Sequence, residues 1–428
     1  MDTQFDKKYW DLPSISLFIE RAIDSLRDYK SIVLLLPPII DIDDFCEKLK
    51  YELWKSDFSQ HEISLDNIES NLKPLEILNK EFFPDQPTRF PKPVVDIQAC
   101  SELPDLIVLS NLHRLSQSQL KDWMELLDSW SELAHQNINA GKNVKPMVAV
   151  VLANLVIDML PPRKLFLDYY WWWGFPSSLE VSLLCRSQSN KYFNSDPTNT
   201  WKERLLSSLT PGDLNLLEHL WDFSDKRFID LVDGIRSYAH PTDSSMNMSR
   251  LPDKLGRITD LSLVFPGDPP PKGIQHLWSK GEIYATIEYG VEFHPSILLE
   301  QNLDGIRHRL WRSQSELLLP IIDGIRVDMC QELTQRLGRD WPYKWDTPIE
   351  PDDLKSVKEN PAATQLGYIV YLLETNSKFA SYRQWLPIAR TARSIRNDLA
   401  HYRTIDNFEN ITSFITSTMR RNSRTIES

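Results

Sequence analysis

Pro387-Ile388-Ala389-Arg390-Thr391-Ala392-Arg393-Ser394-Ile395-Arg396-Asn397-Asp398-Leu399-Ala400-His401-Tyr402-Arg403 is the stretch on which the reading of this chain turns. Apolar residues recur at Ile388, Ala392, Ile395, Leu399 and Tyr402, spaced by four, three, four and three. That rhythm predicts one buried stripe along an amphipathic helix. Arg390, Arg393, Arg396 and Arg403 occupy the rest of its surface, with Asp398 the acid among them. Arg396 and His401 bracket four residues near the expected helix end. At about 100° per residue they lie ~140° apart on an ideal helix, so they converge only where the helix frays or stops at His401. Arg403-Thr404-Ile405-Asp406 reads as that stop, with Asp406 capping the next helix. Asn397 and His401, four apart, share a face.

Outward from this helix the pattern stays helical. A terminal helix is predicted from Asp406 or Asn407 through Phe408, Ile411, Phe414, Ile415 and Met419. Upstream, apolar residues from Leu303 to Leu337 predict one long helix that Pro320 bends and Gly338 ends. Shorter helices are predicted around Leu354–Glu359 and Thr364–Leu373. Residues 301–428 thus read as an all-helical domain with its own core.

The N-terminal part reads differently. Ser14 is placed as the N-cap of a first helix. Ser31-Ile-Val-Leu-Leu-Leu36, Leu106-Ile-Val-Leu109 and Pro146-Met-Val-Ala-Val-Val-Leu152 are continuous apolar runs, the mark of buried parallel strands. Helices are predicted between them, after Asp43-Asp44 and from about Ser118 to Ala134. Strand alternating with helix indicates an open α/β sheet. The layout resembles a P-loop ATPase over residues 1–200, but the phosphate cradle is missing. The first strand runs into Pro37-Pro38-Ile39-Ile40-Asp41, where two prolines remove amide donors, no glycine permits close approach and no lysine follows. Strand 106–109 runs into Ser110-Asn111 rather than an acid for Mg²⁺. The expectation is an ATPase-like scaffold without nucleotide apparatus. Arg186 is read as a structural salt-bridge donor. Trp171-Trp172-Trp173 cannot all face one core in a regular element, so at least one is expected at a domain or partner interface.

Residues 201–300 read as a small helical block, Trp201–Leu209, Pro211–Trp221 and Phe228–Tyr238, followed by the Gly267-Asp-Pro-Pro-Pro271 linker. Ile274–Gly281 then predicts a short helix, and Glu282–Ile287 with Val291–His294 a hairpin around Tyr289-Gly290. Helix, hairpin and aromatic turn together resemble a winged-helix unit. Without a Lys/Arg cluster here, packing between domains is its expected job. The fold class is therefore α/β plus all-α.

Over the full 428 residues, 41% are hydrophobic and 25% charged, as in globular chains of two or three domains. The formal charge of −12 disfavours a general nucleic-acid coat. Its distribution is uneven: residues 305–428 hold 18 Lys and Arg against 15 Asp and Glu, and the remainder 30 against 45. A mildly basic end on an acidic body suits a local polyanion contact. Cys46, Cys100, Cys185 and Cys330 are scattered with no Cys-x-x-Cys pair. With no signal peptide and no spanning apolar run, the expectation is a cytoplasmic protein with reduced thiols and no membrane partner. There is no His-Glu-x-x-His, no Gly-x-Ser-x-Gly and no Cys/His metal spacing, so no metal or cofactor is expected. His113, His135, His240, His276, His294 and His308 read as isolated surface or core histidines.

RNA brings its own nucleophile, the ribose 2′-OH. A protein that cleaves it needs a group to take that proton, a cation for the developing phosphorane charge and an acid for the departing 5′ oxygen. Histidine exchanges protons near neutral pH, and arginine stays charged and grips two phosphate oxygens. One histidine does not easily serve both proton jobs, so two copies meeting in a homodimer would supply the second. Arg-Asn-Asp-Leu-Ala-His, 396–401, resembles the signature of the HEPN superfamily, Arg-x(4–6)-His with Asn, Asp or His after the arginine, over roughly residues 305–428. That resemblance implies a helical bundle and a metal-independent, dimeric endoribonuclease, acting as a toxin with a cognate antitoxin or in antiviral defence. Arg396 and His401 would be catalytic, Asn397 would assist, and Arg390, Arg393 and Arg403 would bind RNA. Two other readings remain. In one, the helical domain is a non-catalytic adaptor for dimerisation or partner binding; in the other, the α/β part is a nucleotide-dependent switch with an unconventional site.

Overall fold

A computed structural model describes residues 8–66, 72–85, 91–98, 100–142, 144–189, 196–238, 257–258, 264–301, 303–345 and 350–426. His240 lies outside them. The fold is mixed α/β, with a parallel sheet and many helices. The chain forms two compact units, Met1–Leu184 with Thr210–Glu218 and Tyr238–Gln301, and Cys185–Leu209 with His219–Ser237 and Asn302–Ser428.

The first unit is built on five parallel strands in the order β2-β3-β4-β1-β5, where β1 is Ser31–Leu36, β2 Gln60–Ser64, β3 Leu106–Ser110, β4 Met147–Leu152 and β5 Leu167–Trp171. Central β1 is buried along its whole length between β4 and β5, which is why Ile32–Leu36 is uninterruptedly apolar. The first helix, Pro13–Arg27, begins on its proline, and Leu12 rather than Ser14 is the N-cap. The Ser14 amide instead donates to Glu180 Oε1 at 2.6 Å, while Glu180 Oε2 accepts from the Ser177 amide at 3.0 Å. One carboxylate thereby satisfies orphan donors at two helix starts.

The three tryptophans depart from expectation. Trp171, Trp172 and Trp173 are all buried within this unit. They escape the one-core limit because regular structure ends among them: Trp171 closes β5, the Trp173 amide turns back to the Trp171 carbonyl at 2.7 Å, and Gly174 takes φ 78°. Trp172 packs on Trp10, Phe18 and Phe45, whereas Trp171 lies against Trp278. Downstream, the short helix Gln275–Ser279 precedes an antiparallel hairpin of β6, Ile283–Thr286, and β7, Gly290–Phe293. His294, just past β7, is fully buried and bonded to Asp213 at 3.1 Å; Asp213 also accepts from the Tyr238 hydroxyl at 2.8 Å.

In the second unit, the 35-residue helix Leu303–Leu337 runs unbroken through Pro320 and stops at Gly338, which takes φ 88°. It packs against Pro197–Leu209 and Leu386–Ala400. Trp201 is completely buried, with its ring 5.0 Å from that of Phe408, and so ties in the terminal helix Phe408–Ile426. Arg186 forms a bidentate pair with Glu203, at 3.0 and 2.9 Å. No helix among the described residues is long and apolar enough to cross a membrane.

Candidate functional site

The arginine-rich helix spans Leu386–Ala400 and buries Ala389, Ala392, Ile395 and Leu399. Its stripe thus starts at Ala389; Ile388 is only half-buried. His401 is the C-cap, Tyr402 follows at φ 60°, and the chain reverses there. The Tyr402 amide donates to the Leu399 carbonyl at 3.1 Å and the Arg403 amide to the Asp398 carbonyl at 2.8 Å. This two-bond closure usually places glycine in the left-handed position. Tyr402 holds it through its ring, stacked on His308 and tilted against Trp311, and through a hydrogen bond between its hydroxyl and His308 Nδ1. Trp311 Nε1 donates to the Leu399 carbonyl at 2.8 Å and anchors the same turn. His401 therefore sits at a fixed stop. Asp406 is not the next cap: Asn407 Oδ1 accepts from the Glu409 amide at 3.1 Å, while Asp406 accepts from Arg307.

An open groove of about 410 Å³ runs beside this helix. Arg393, Arg396 and Asn397 form one wall. Ile322, Asp323 and Arg326 of the long helix form another, and Thr364–Gly367 closes the side. Arg396 and Asn397 are exposed and Arg393 half-buried. Among the described residues, no hydrogen bond or ion pair engages the side chains of Arg393, Arg396, Asn397 or His401. Arg326, in contrast, is committed. Its Nε donates to Asp323 at 2.9 Å and its Nη1 to the carbonyls of Ala362 and Thr364. Three guanidinium groups thus face one carboxylate, leaving a positive recess suited to an anion.

The other expected residues lie elsewhere. His401 is exposed one turn beyond Asn397 but does not line the groove. Arg390 is tied to Glu374 by a 2.7 Å hydrogen bond, and Arg403 lies 3.8 Å from Asp398; neither lines the groove. Arg326 and the Thr364–Gly367 wall were not legible: Asp323 and Arg326, three apart, read as an ordinary solvated helix pair. Among the described residues, no group of three or more His, Cys, Asp or Glu side chains is placed to hold a metal ion.

No family model matches the sequence, and no curated protein matches it. Among solved structures, the chain is similar to one in the Drosophila ORC assembly bound to poly(dA/dT) DNA and Cdc6, at 11% identity, covering 97% of this chain and 71% of that chain, with a TM-score of 0.28. A likeness that faint carries no argument.

In the first unit, the helix following β1 starts at Ile42, and its N-terminus is already occupied. The Asp41 carboxylate accepts from the amides of Asp43 and Asp44 at 3.0 and 3.1 Å. The donors a phosphate would use are taken by an anion, with two more carboxylates in the first turn.

Proposed function

We propose that this chain is a HEPN-like, metal-independent endoribonuclease, with the α/β sheet and the winged-helix-like hairpin as a degenerate ATPase-like sensing or docking body. The observation that carries the reading is the pairing of Arg396 and Asn397, unengaged among the described residues, on an open, positive groove with an exposed His401 fixed at the end of the same helix. Arg396 would hold the non-bridging oxygens of the scissile phosphate and Asn397 would orient it or the imidazole. The 2′ oxygen forms a bond to phosphorus and gives its proton to His401. The bond to the 5′ oxygen breaks, and that oxygen takes a proton from the imidazole of a second copy. The products are a 2′,3′-cyclic phosphate and a 5′-hydroxyl. A toxin or antiviral-defence setting, with RNA as target, follows from the family resemblance.

One observation favours the alternative of a non-catalytic interaction module: His401 does not line the groove that Arg396 lines. Incubating the full chain with labelled RNA in EDTA decides between them. Cleavage to cyclic-phosphate ends, abolished in Arg396→Ala and His401→Ala, supports the nuclease; intact RNA with the folded wild-type protein leaves the interaction module.

A further inference from the structure

We propose that the open edge of β2, with the aromatic pair Tyr51–Trp54 above it, is a docking site where an extended, uncharged segment of a partner protein adds a sixth strand to the sheet. Such a site deepens the docking role proposed above for the α/β sheet and does not depend on RNA cleavage. Among the described residues, β2 pairs with β3 and with no other strand. The Leu106 amide donates to the Ser59 carbonyl and the Leu65 amide to the Ser110 carbonyl, both at 3.1 Å. In a parallel ladder, alternate residues turn both backbone groups to the same side. Ser59, His61, Ile63 and Leu65 therefore face β3, and Gln60, Glu62 and Ser64 turn their N–H and C=O groups outward. Among the described residues no hydrogen bond reaches those outward groups. The side-chain oxygen of Gln60, shut off from water, accepts none either. Donors and acceptors in this regular spacing are matched by another extended backbone.

The Lys50 ammonium binds the Glu62 carboxylate at 2.6 Å, and Gln60 Nε2 donates to the Lys50 carbonyl at 3.3 Å, so the Ile42–Lys55 helix runs beside this edge. One turn on from Lys50, Trp54 is 68% exposed, and Tyr51, 55% exposed, lies against it with ring centroids 6.1 Å apart. A strand added about 4.8 Å beyond β2 would pass under this shoulder and cover part of the indole. Charge does not guard the edge as it often does. Lys50 is matched by Glu62, Lys48 by Asp11 and Glu52 at 2.7 and 3.0 Å, and Lys55 by Glu52 at 3.7 Å. With these lysines matched, the surface offers no positive field to a nucleic acid. It suits a segment with aromatic or β-branched residues at alternate positions. A second copy fits less well, because full antiparallel overlap of two β2 strands sets their Glu62 side chains opposite each other.

Random nonapeptides displayed on phage are panned against the immobilised full chain, and the enriched sequences are synthesised and titrated by fluorescence anisotropy. Glu62→Pro removes one outward amide and leaves the β3 ladder whole, since the Glu62 amide points away from β3. Glu62→Ala controls for the lost side chain. Enriched peptides should alternate apolar and polar residues and bind folded Glu62→Pro about tenfold more weakly than Glu62→Ala. Trp54→Ala should weaken them about fivefold against wild type. N-methylation along the peptide should weaken binding at every second residue, which covers the case in which the proline variant does not fold. No enrichment, equal affinity for folded Glu62→Pro and Glu62→Ala, or an N-methyl effect without the two-residue period overturns the strand-addition site. So does sedimentation in which a wild-type dimer falls to monomers in Glu62→Pro, which hands the edge to a second copy. Peptide binding by a wild-type chain that leaves RNA uncut overturns the nuclease alone.

Discussion

Tyr402 packs at a tilt against Trp311 with ring centroids 4.7 Å apart while its own backbone takes φ 60°. The ring holds the residue in a region that costs a non-glycine about 1–2 kcal/mol. Two substitutions separate these effects. Tyr402→Ala loses the aromatic contact and keeps the backbone cost; Tyr402→Gly loses the contact and removes that cost. Urea denaturation should therefore find the glycine variant more stable than the alanine variant by about 1 kcal/mol. Equal stabilities would remove the case for stored backbone strain. Tyr402→Ala should lower RNA cleavage more than Tyr402→Gly, since alanine loses the ring yet keeps the backbone cost, whereas glycine suits the left-handed position that closes the turn at His401.

Arg393 and Arg390 sit three residues apart and should behave differently. Among the described residues no hydrogen bond or ion pair engages the Arg393 side chain at the groove, whereas Arg390 is bound to Glu374. Each single-strand phosphate contact contributes about 0.7 to the slope of log K against log salt. Arg393→Ala should reduce that slope by roughly 0.7 and weaken binding at every sequence. Arg390→Ala should leave the slope as it is and change stability by less than about 1 kcal/mol, as for other exposed pairs. Matching slopes for the two variants would place the RNA path elsewhere.

Periodicity made most elements legible, and function-bearing pairings were least so. Strand β1 announced itself through five consecutive apolar residues, Ile32–Leu36, because both its faces are covered. Edge strand β2, Gln-His-Glu-Ile-Ser, buries only Ile63, so neither run nor alternation marks it. The other edge strand, β5, hides behind Asp168, a buried acid balanced by Lys30 and Arg163 at 3.1 and 2.6 Å. At the candidate site, Arg396, Asn397 and Arg393 were readable because one helix carries them all. Arg326 was not, since its place opposite them depends on how two separate helices pack, bringing together residues 67 to 71 positions apart.

Arg326 behaves as a strut. Its guanidinium joins Asp323 on its own helix to the carbonyls of Ala362 and Thr364, and about four-fifths of its side chain is out of water. Arg326→Ala orphans these carbonyls and should lower unfolding stability by about 2–3 kcal/mol in urea. Arg326→Lys should recover little, because a single ammonium cannot match the planar fork. Full recovery by lysine would reduce the strut to a point charge.

The thiols give a pH-dependent check. Burial pushes the Cys46 thiol up to about 12 and the Cys330 thiol up to about 11. Near pH 8 both stay protonated in the folded chain, and alkylation needs the thiolate. Mass spectrometry after brief iodoacetamide treatment at pH 8 should find these two positions unlabelled until denaturant is added, and labelled natively only toward pH 11–12. Rapid native labelling at pH 8 would contradict the packing around them.

Asp41 gives the prediction that bears on the body of the protein. Its carboxylate caps the Ile42–Lys55 helix, at the spot where a phosphate would otherwise meet free amides. Asp41→Ala should cost about 1 kcal/mol of stability, and Asp41→Asn far less, because asparagine offers a similar capping oxygen. Neither the wild-type chain nor the asparagine variant should give a saturable signal with ATP by calorimetry. The alanine variant frees two amides, but Pro37 and Pro38 still withhold donors and Asp43 and Asp44 still repel phosphate. It should stay silent as well. Saturable ATP binding that competes with capping, stronger in alanine than in asparagine, would return the sheet to the class of nucleotide-driven switches.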